Sequence, residues 1–176
     1  PECTASTSEY IGISPNPMVD AQADILNGCS PLEVEFSADA SLASTFAWEI
    51  DGNTTYGESM NATLETAIGN PSAHTATITV TSATGCSAID TITVDAFPRA
   101  IANIEPLTNA GCAPYSLPIA NLSEGAIAFE WYANSNFITS NSIWNGTLEN
   151  ITNEIESQAI ELVAHSVEGC NDTTQT

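Results

Sequence analysis

Apolar and polar residues alternate along short stretches of this chain, which is the period of half-buried β-strands. Leu32, Val34 and Phe36 are separated by glutamates, and in 75–81 threonine occupies every second position between apolar residues. Each stretch predicts a strand with one face in a core and the other in water. No segment carries a long 3.6-residue period, and turn residues recur every 8 to 12 positions. The pattern therefore predicts an all-β fold of antiparallel β-sandwiches.

The predicted strands fall into two similar series. Trp48 and Trp131 lie on the third strand of each series, with Phe46 and Phe129 two residues before them, and we expect all four in the cores between the sheets. The first series is predicted near 19–24, 31–37, 44–50, 53–57, 60–68, 74–82 and 88–95. The second is predicted near 100–105, 115–121, 126–132, 136–140, 147–154, 157–166 and from 171 onward.

The two series are copies of one repeat. Cys29 and Cys112 are 83 residues apart, as are Trp48 and Trp131, and Cys170 follows Cys86 by 84. A fixed period of this size indicates tandem modules that each close a small core. We expect 1–16 to be the final strand of a preceding module plus a linker, 17–97 a complete module, and 98–176 a module without its last strand. Either the parent chain continues in both directions or a neighbouring copy supplies that strand.

Charge and cysteine content indicate which partners and which cellular compartment to expect for this chain. Arg99 is the single basic residue against 22 acidic ones, a net charge of -21. Such a surface repels phosphate backbones and anionic lipid, so we expect no nucleic-acid partner. No apolar run approaches the 20 or so residues that span a bilayer, so we expect no membrane insertion in this segment. Cysteines recurring at equivalent loop positions suggest disulfides and an oxidising, extracellular compartment.

Four motifs follow one another along the first series: Gly28-Cys29-Ser30-Pro31, Phe46-Ala47-Trp48-Glu49-Ile50-Asp51-Gly52, Thr77-Ile78-Thr79-Val80-Thr81 and Gly85-Cys86. They resemble the polycystic-kidney-disease (PKD) type of immunoglobulin-like domain, in the variant common in surface proteins of Bacteroidota. The resemblance covers nearly the whole chain and implies secreted, cell-surface arrays that form stalks, fibres or gliding-adhesin shafts. Asp90-Thr91-Ile92 and Asp172-Thr173-Thr174 also resemble the sites that Bacteroidota O-glycosylate, so Thr91 and Thr173 are glycosylation candidates.

Catalytic chemistry finds little support in the sequence. The two histidines both fall on the predicted sixth strand of a module, and the acidic residues are dispersed over strand faces, so we predict no enzyme and no catalytic residues. We also predict no required cofactor. Glu49, Asp51 and Asn53 alternate at the end of a strand and are candidate oxygen ligands for Ca²⁺, although their spacing differs from an EF-hand loop.

Two functions of different class are compatible with the repeat. The first is a structural stalk or filament whose partners are neighbouring modules or identical subunits. The second is an accessory module that binds a protein or a surface polysaccharide. A sugar-binding module predicts Trp144, Tyr132 and Phe137 displayed together on one face, because carbohydrate sites use exposed aromatic rings. Their solvent exposure therefore separates the two hypotheses.

The pairing of the five cysteines stays open. An intramodule scheme joins Cys29 to Cys86 and Cys112 to Cys170, but strand counting places the two members of each pair at opposite poles of a module. A disulfide requires Cα atoms within about 7 Å, and one strand spans roughly 17 to 20 Å. The intermodule scheme joins Cys29 to Cys170 and leaves Cys3, Cys86 and Cys112 for partners outside this segment.

Overall fold

The computed structural model describes residues 3–106 and 110–176, where all regular structure is β-strand. The all-β prediction is thus confirmed. No helix that could cross a membrane occurs in these ranges. The strands are β1 (Met18–Ala23), β2 (Asn27–Cys29), β3 (Leu32–Ser41), β4 (Thr45–Ile50), β5 (Asn53–Tyr56), β6 (Ser59–Leu64), β7 (Ser72–Thr81), β8 (Ser87–Phe97), β9 (Ile104–Pro106), β10 (Ile119–Asn121), β11 (Ala128–Ala133), β12 (Asn136–Thr139), β13 (Ile160–His165) and β14 (Asp172–Gln175).

The chain divides into two compact units. The first comprises Pro1–Asp24, Glu35–Ala62 and Thr75–Thr93. The second comprises Ile25–Val34, Thr63–His74 and Val94–Thr176. The second unit therefore contains β2, the last residues of β8 and every strand from β9 to β14.

Strands β1 to β8 form two sheets, with strand orders β1-β3-β6 and β2-β8-β7-β4-β5. β3 pairs antiparallel with β1, and β4 pairs antiparallel with both β5 and β7. The short β2 runs parallel to the end of β8, with Cys29 opposite Phe97. Two sheets with these orders are the arrangement of an immunoglobulin-like sandwich.

The core of the first unit lies between these sheets. Phe36 of β3 and Trp48 of β4 are both fully buried, and their ring centroids are 5.9 Å apart. Alternation explains the choice of residues, because every second side chain of β3 faces inward while the glutamates between them face water. The sequence prediction that Trp48 is a core residue agrees with its burial, whereas Phe46 is only half-buried.

In the second unit, β9 pairs with β10, and β11 to β14 form a sheet with order β12-β11-β13-β14. Trp131 is fully buried, and Phe129 is partly buried against the same cluster. The indole N–H of Trp131 donates to the carbonyl oxygen of Asn141 at 3.0 Å. The buried residues of this cluster are Leu117, Ile119, Trp131, Trp144, Ile160 and Leu162.

Several predicted strands differ from the observed ones. All seven strands predicted in the first series are present with shifted ends, but β2 was not predicted. In the second series the strand predicted at 147–154 is wrong, because Leu148 makes only an isolated bridge to Tyr115. The residues near 100–105 and 115–121 form strand only at β9 and β10. Residues 107–109 lie outside the described part.

Residues 3–17 contain no strand. The side chains of Tyr10, Ile11 and Ile13 are almost fully exposed. A segment that ends a preceding module would pair with strands of that module, which 1–176 does not include. The assignment of 1–16 to a preceding module therefore stays a prediction, and Pro1 and Glu2 lie outside the described residues.

Candidate functional site

A disulfide joins Cys29 to Cys170 across 141 residues of sequence, with the two Cα atoms 5.5 Å apart. Cys29 is the last residue of β2, and Cys170 lies between β13 and β14. Both cysteines belong to the second compact unit. Of the two pairing schemes compatible with the sequence, the structure contains the one that joins Cys29 to Cys170. We call this bond the junction disulfide.

A tight turn positions Cys170. The N–H of Cys170 donates to the hydroxyl of Ser166 at 2.8 Å, and Gly169 adopts a φ of +80°, a conformation that glycine reaches without steric cost. The same turn occurs one repeat earlier, where the N–H of Cys86 donates to the Ser82 hydroxyl at 3.1 Å. The two cysteines are therefore equivalent in local structure as well as in sequence.

Backbone hydrogen bonds hold the segment after β8 beside both cysteines of the junction disulfide. Ser30, which follows Cys29, donates its N–H to the carbonyl oxygen of Phe97 at 2.8 Å. Ala100 donates its N–H to the carbonyl oxygen of Cys170 at 2.9 Å. We call these two hydrogen bonds and the junction disulfide the junction clasp. A buried polar backbone group that keeps its partner avoids a desolvation penalty of roughly 1 to 3 kcal/mol.

The surroundings of the clasp are buried and closely packed. Ala100 is fully buried, whereas Arg99 beside it is exposed. Ser30 is also buried, and its hydroxyl oxygen accepts a hydrogen bond from the N–H of Thr66 at 3.0 Å. The roles of Ser30 and Ala100 were missed by sequence reasoning, although Ser30 lies within the Gly-Cys-Ser-Pro motif. Segment 97–101 is hydrogen-bonded to three surrounding segments, through Phe97 to Ser30, through Ala100 to Cys170 and through Ile101 to Glu124.

Gly125 makes a further close approach in the second unit. Its φ is +68°, and a Cβ atom at this position would lie 2.9 Å from the Ile68 side chain and 3.5 Å from the Arg99 carbonyl oxygen. Any other residue would therefore be strained at this φ, and the Ile68 side chain would have to shift to make room for it. Its sequence neighbours contain no motif, so the sequence carried no signal for this contact.

Each series has a carboxylate on its last strand that accepts a backbone hydrogen bond from the beginning of the same series. Asp90 accepts a hydrogen bond from the N–H of Ala21 at 2.8 Å, and Asp172 accepts one from the N–H of Ala102 at 2.9 Å. The hydrogen bond from Ala21, followed by one from the N–H of Thr91, lowers the pKa of Asp90 below its ordinary value. The repetition of Asp-Thr in both copies was the available sequence signal, and it was interpreted as glycosylation instead.

Among the residues that the structure describes, three cysteines have no disulfide partner: Cys3, Cys86 and Cys112. Cys3 and Cys112 are exposed and Cys86 is partly buried. Cys86 is the repeat equivalent of Cys170, and Cys112 is the equivalent of Cys29. Both thiols thus occupy positions whose counterparts are bonded.

Trp144 does not lie on an exposed aromatic face, contrary to what a sugar-binding module predicts. Trp144 is buried, and its ring packs edge-on against Trp131 with centroids 5.7 Å apart. The error has a structural cause. The ladder between β11 and β12 shifts register beside Tyr132, where Ile138 is an extra residue. Beyond this bulge the repeat offset is 84 rather than 83, so the equivalent of Trp144 is the buried Met60.

Tyr132 and Phe137 do lie together. Their rings meet edge-on with centroids 5.8 Å apart, and 57 % of the Phe137 surface is exposed. The Tyr132 hydroxyl donates to the carboxylate of Glu130 at 2.8 Å, which, reinforced by burial and further negative charge, raises the pKa of Tyr132. The platform of three aromatic residues expected for a sugar-binding module is thus reduced to two.

The remaining candidate positions are on the surface. Glu49, Asp51 and Asn53 are exposed around the turn between β4 and β5. Within 3–106 and 110–176, no group of three or more histidine, cysteine or acidic side chains is arranged to hold a metal ion. Thr91 and Thr173, the two glycosylation candidates, are exposed on β8 and β14.

Comparisons with known proteins find similar solved structures but identify no family for this chain. No family model matches the chain, and no curated protein matches it. Fibronectin(III)-like modules of Clostridium thermocellum CbhA align at 10 % identity and a TM-score of 0.40, covering 90 % of this chain and 92 % of theirs. A Ca²⁺-stabilised adhesin with which an Antarctic bacterium binds ice aligns at 14 % identity and 0.39, covering 92 % and 48 %. SGBP-B of a Bacteroides ovatus mixed-linkage glucan utilization locus, in complex with a mixed-linkage heptasaccharide, aligns at 12 % identity and a TM-score of 0.37, covering 92 % of this chain and 47 % of that one.

Proposed function

We propose that this chain is a non-enzymatic structural segment of a large extracellular surface protein, in which repeated sandwich modules form a stalk, fibre or adhesin shaft. The modules are 17–97 and 98–176, preceded by the end of another module in 1–16. Their partners are the neighbouring modules. The observation that carries the proposal is the junction clasp. Its two hydrogen bonds hold the segment between the modules beside Cys29 and Cys170, and the disulfide joins these two cysteines.

A clasp of this kind suits a load-bearing array. A linker of ordinary flexibility lets adjacent modules reorient freely, whereas here the amide of Ala100 is bonded and its side chain is buried. The disulfide also requires an oxidising compartment to form and persist. Both features agree with an extracellular protein that must keep its length under tension.

The repetition of local structure supports an array. The turn before Cys170 recurs before Cys86, and the hydrogen bond that Asp172 accepts from Ala102 recurs between Asp90 and Ala21. A device used once could serve one domain alone. Its recurrence in successive copies indicates that each junction is built by the same residues.

Hydrogen–deuterium exchange tests the clasp as a rigid joint. In the oxidised protein we expect the amides of Ala100, Ile101 and Ala102 to be protected, because each donates to an oxygen within the second unit. Residues 3–16 of the same molecule supply an internal reference for exposed backbone. Cys29→Ser should reduce protection at Ala100 and leave exchange in the reference segment unchanged. Exchange at Ala100 as fast as in the reference would overturn the proposal.

A second candidate function rests on the Tyr132–Phe137 pair. Phe137 is exposed beside Tyr132 on the edge strand of its sheet, and edge aromatics of this kind can stack on a sugar ring. Screening the wild-type chain and Phe137→Ser against an array of polysaccharides tests this candidate. Binding that is lost in Phe137→Ser but kept in Tyr56→Ser, an exposed aromatic of the first unit, would favour an accessory binding module.

A further inference from the structure

One face of the sheet β12-β11-β13-β14 carries aromatic and acidic side chains side by side. Successive side chains of a strand point to opposite faces, so Glu130 and Tyr132 of β11 lie on the face opposite to the buried Trp131. In the ladders, Tyr132 pairs with Phe137 of β12 on one side and with Glu161 of β13 on the other. We call Glu130, Tyr132, Phe137 and Glu161 the acidic aromatic face.

Contacts within this face hold its polar groups in place. The Tyr132 hydroxyl donates to the Glu130 carboxylate at 2.8 Å, and the Tyr132 ring meets the Phe137 ring edge-on. That hydrogen bond is the largest cause that raises the pKa of Tyr132, followed by burial and by the negative charges of Glu130 and Glu161. The side chain of Glu130 is 41 % exposed. Because a carboxylate has about four acceptor positions, Glu130 can also accept hydrogen bonds from an external donor.

The repeat shows that the fold does not require these side chains. In the first module, Glu49 takes the position of Tyr132, and Thr54 and Thr77 pair with it from the two neighbouring strands. The ladders around this position are therefore equivalent in the two modules, but the first module has neither of the two aromatic rings there. A cluster that one copy of the repeat lacks while keeping the same sheet is available for binding.

The charge of the face determines which ligand fits it. The chain carries a net charge of -21, and Glu130 and Glu161 lie beside the aromatic pair, so an anionic ligand is repelled. A guanidinium group is complementary, because its plane stacks on an aromatic ring and its N–H groups donate to carboxylates in parallel pairs. The Phe137 ring, 57 % exposed, is accessible for stacking.

We propose that the acidic aromatic face binds an arginine side chain in a basic segment of another protein. In this arrangement Phe137 stacks on the guanidinium, Glu130 accepts its hydrogen bonds and Tyr132 positions the Glu130 carboxylate. A second copy of this chain is a poor source of the cation, because it offers Arg99 as its single basic residue and carries the same net charge of -21. The proposal goes beyond the shaft function and does not depend on it.

Binding of a labelled ten-residue peptide of alternating glycine and arginine, followed by fluorescence anisotropy at pH 7.5, tests the proposal. Any polycation is attracted to a chain of this charge, so the deciding variants leave the net charge unchanged. Phe137→Ser should weaken binding about two- to fivefold, the range of an exposed cation–π contact. Tyr56→Ser is the matched control and should bind as the wild type does, because Tyr56 is an exposed aromatic residue of the first unit.

A second pair of variants tests the carboxylate. Glu130→Gln and Glu33→Gln each remove one negative charge, but Glu33 is an exposed residue of β3 outside the acidic aromatic face. We expect Glu130→Gln to weaken binding more than Glu33→Gln does. A peptide of alternating glycine and lysine should bind more weakly than the arginine peptide, because an ammonium group can neither stack as a plane nor donate a parallel pair of hydrogen bonds.

Two results would overturn the proposal. Equal affinities of the wild type and Phe137→Ser for the arginine peptide, or equal losses in Glu130→Gln and Glu33→Gln, would mean that binding follows net charge alone. Binding of a neutral gluco-oligosaccharide at Phe137 without binding of the arginine peptide would also overturn it and would favour the accessory sugar-binding module. The exchange of the Ala100 amide is independent of all these variants, so failure of this proposal is distinguishable from failure of the proposed shaft.

Discussion

While the junction disulfide is intact, a stretching force applied at the two ends of the chain should not extend the residues between Cys29 and Cys170. Cys29 and Cys170 are 141 residues apart in sequence but their Cα atoms are separated by only 5.5 Å. At roughly 3.3 to 3.6 Å per fully extended residue, the enclosed segment corresponds to about 460 to 510 Å of contour length. While the bond is intact, unfolding can release only the residues outside the loop.

Optical-tweezers measurements can detect this difference directly. The handles should be attached through peptide tags at the two ends, so that no cysteine is consumed. We expect complete unfolding of the reduced protein, or of Cys29→Ser, to release about 460 to 510 Å more length than unfolding of the oxidised wild type. Cys86→Ser is the matched control, and its hidden length should equal that of the wild type.

One outcome would refute the reasoning. If the oxidised wild type and the Cys29→Ser chain release the same contour length, the two cysteines are not bonded and the junction lacks its covalent component. A hidden segment of about 190 to 210 Å, which corresponds to the 57 positions from Cys29 to Cys86, would indicate the intramodule pair instead.

Three further predictions concern stability and cleavage. In a denaturant titration, Trp48→Ala should lower the unfolding free energy by roughly 3 to 5 kcal/mol, because the ring is fully buried. Truncation of the exposed Tyr56 should lower it by less than about 0.5 kcal/mol, and similar costs for the two variants would contradict the core placement. Trypsin should cleave only after Arg99, and the two pieces should stay together until a reductant opens the junction disulfide, so separation without reductant would contradict the clasp. Because the pKa of Asp90 is lowered in the folded chain, its ionised form stabilises the fold at pH values above the ordinary pKa near 3.8, and this contribution should be lost as the pH falls through the lowered pKa. Asp90→Asn should flatten that part of a stability–pH profile, and an unchanged profile would contradict the anchor to Ala21.

Much of the fold was predictable because it depends on local alternation. In β3, for example, three apolar residues occupy the positions that face the core and two glutamates occupy the positions that face water. The short β2 was not predictable in this way, since three residues cannot show a period and its pairing comes from β8. Strand 147–154 was placed wrongly for a related reason. At the repeat offset of 84 it corresponds to 63–70, of which only Thr63 and Leu64 belong to β6, and the observed segment makes one isolated bridge, from Leu148 to Tyr115.

The candidate site was predictable only in part. Repeated cysteines indicated bonds at module ends, and strand geometry disfavoured the intramodule pairs. The packing of Gly125 on Ile68 had no signal, because the contact depends on two loops that are distant in sequence. Trp144 was misplaced because one bulge residue changed the repeat offset after Trp131. Tertiary contacts of this kind become visible only when both partners are placed.

Mapping the disulfides of the oxidised chain determines whether Cys29 and Cys170 are bonded. Cleavage after glutamate, at every such site except the Glu105–Pro106 bond, places Cys29, Cys86 and Cys170 in three different peptides, and free thiols can be blocked at low pH before digestion to prevent exchange. The account predicts a peptide pair that joins Cys29 to Cys170 and disappears on reduction. A pair that joins Cys29 to Cys86, or blocked thiols at all five cysteines, would contradict the clasp and the proposed function that depends on it.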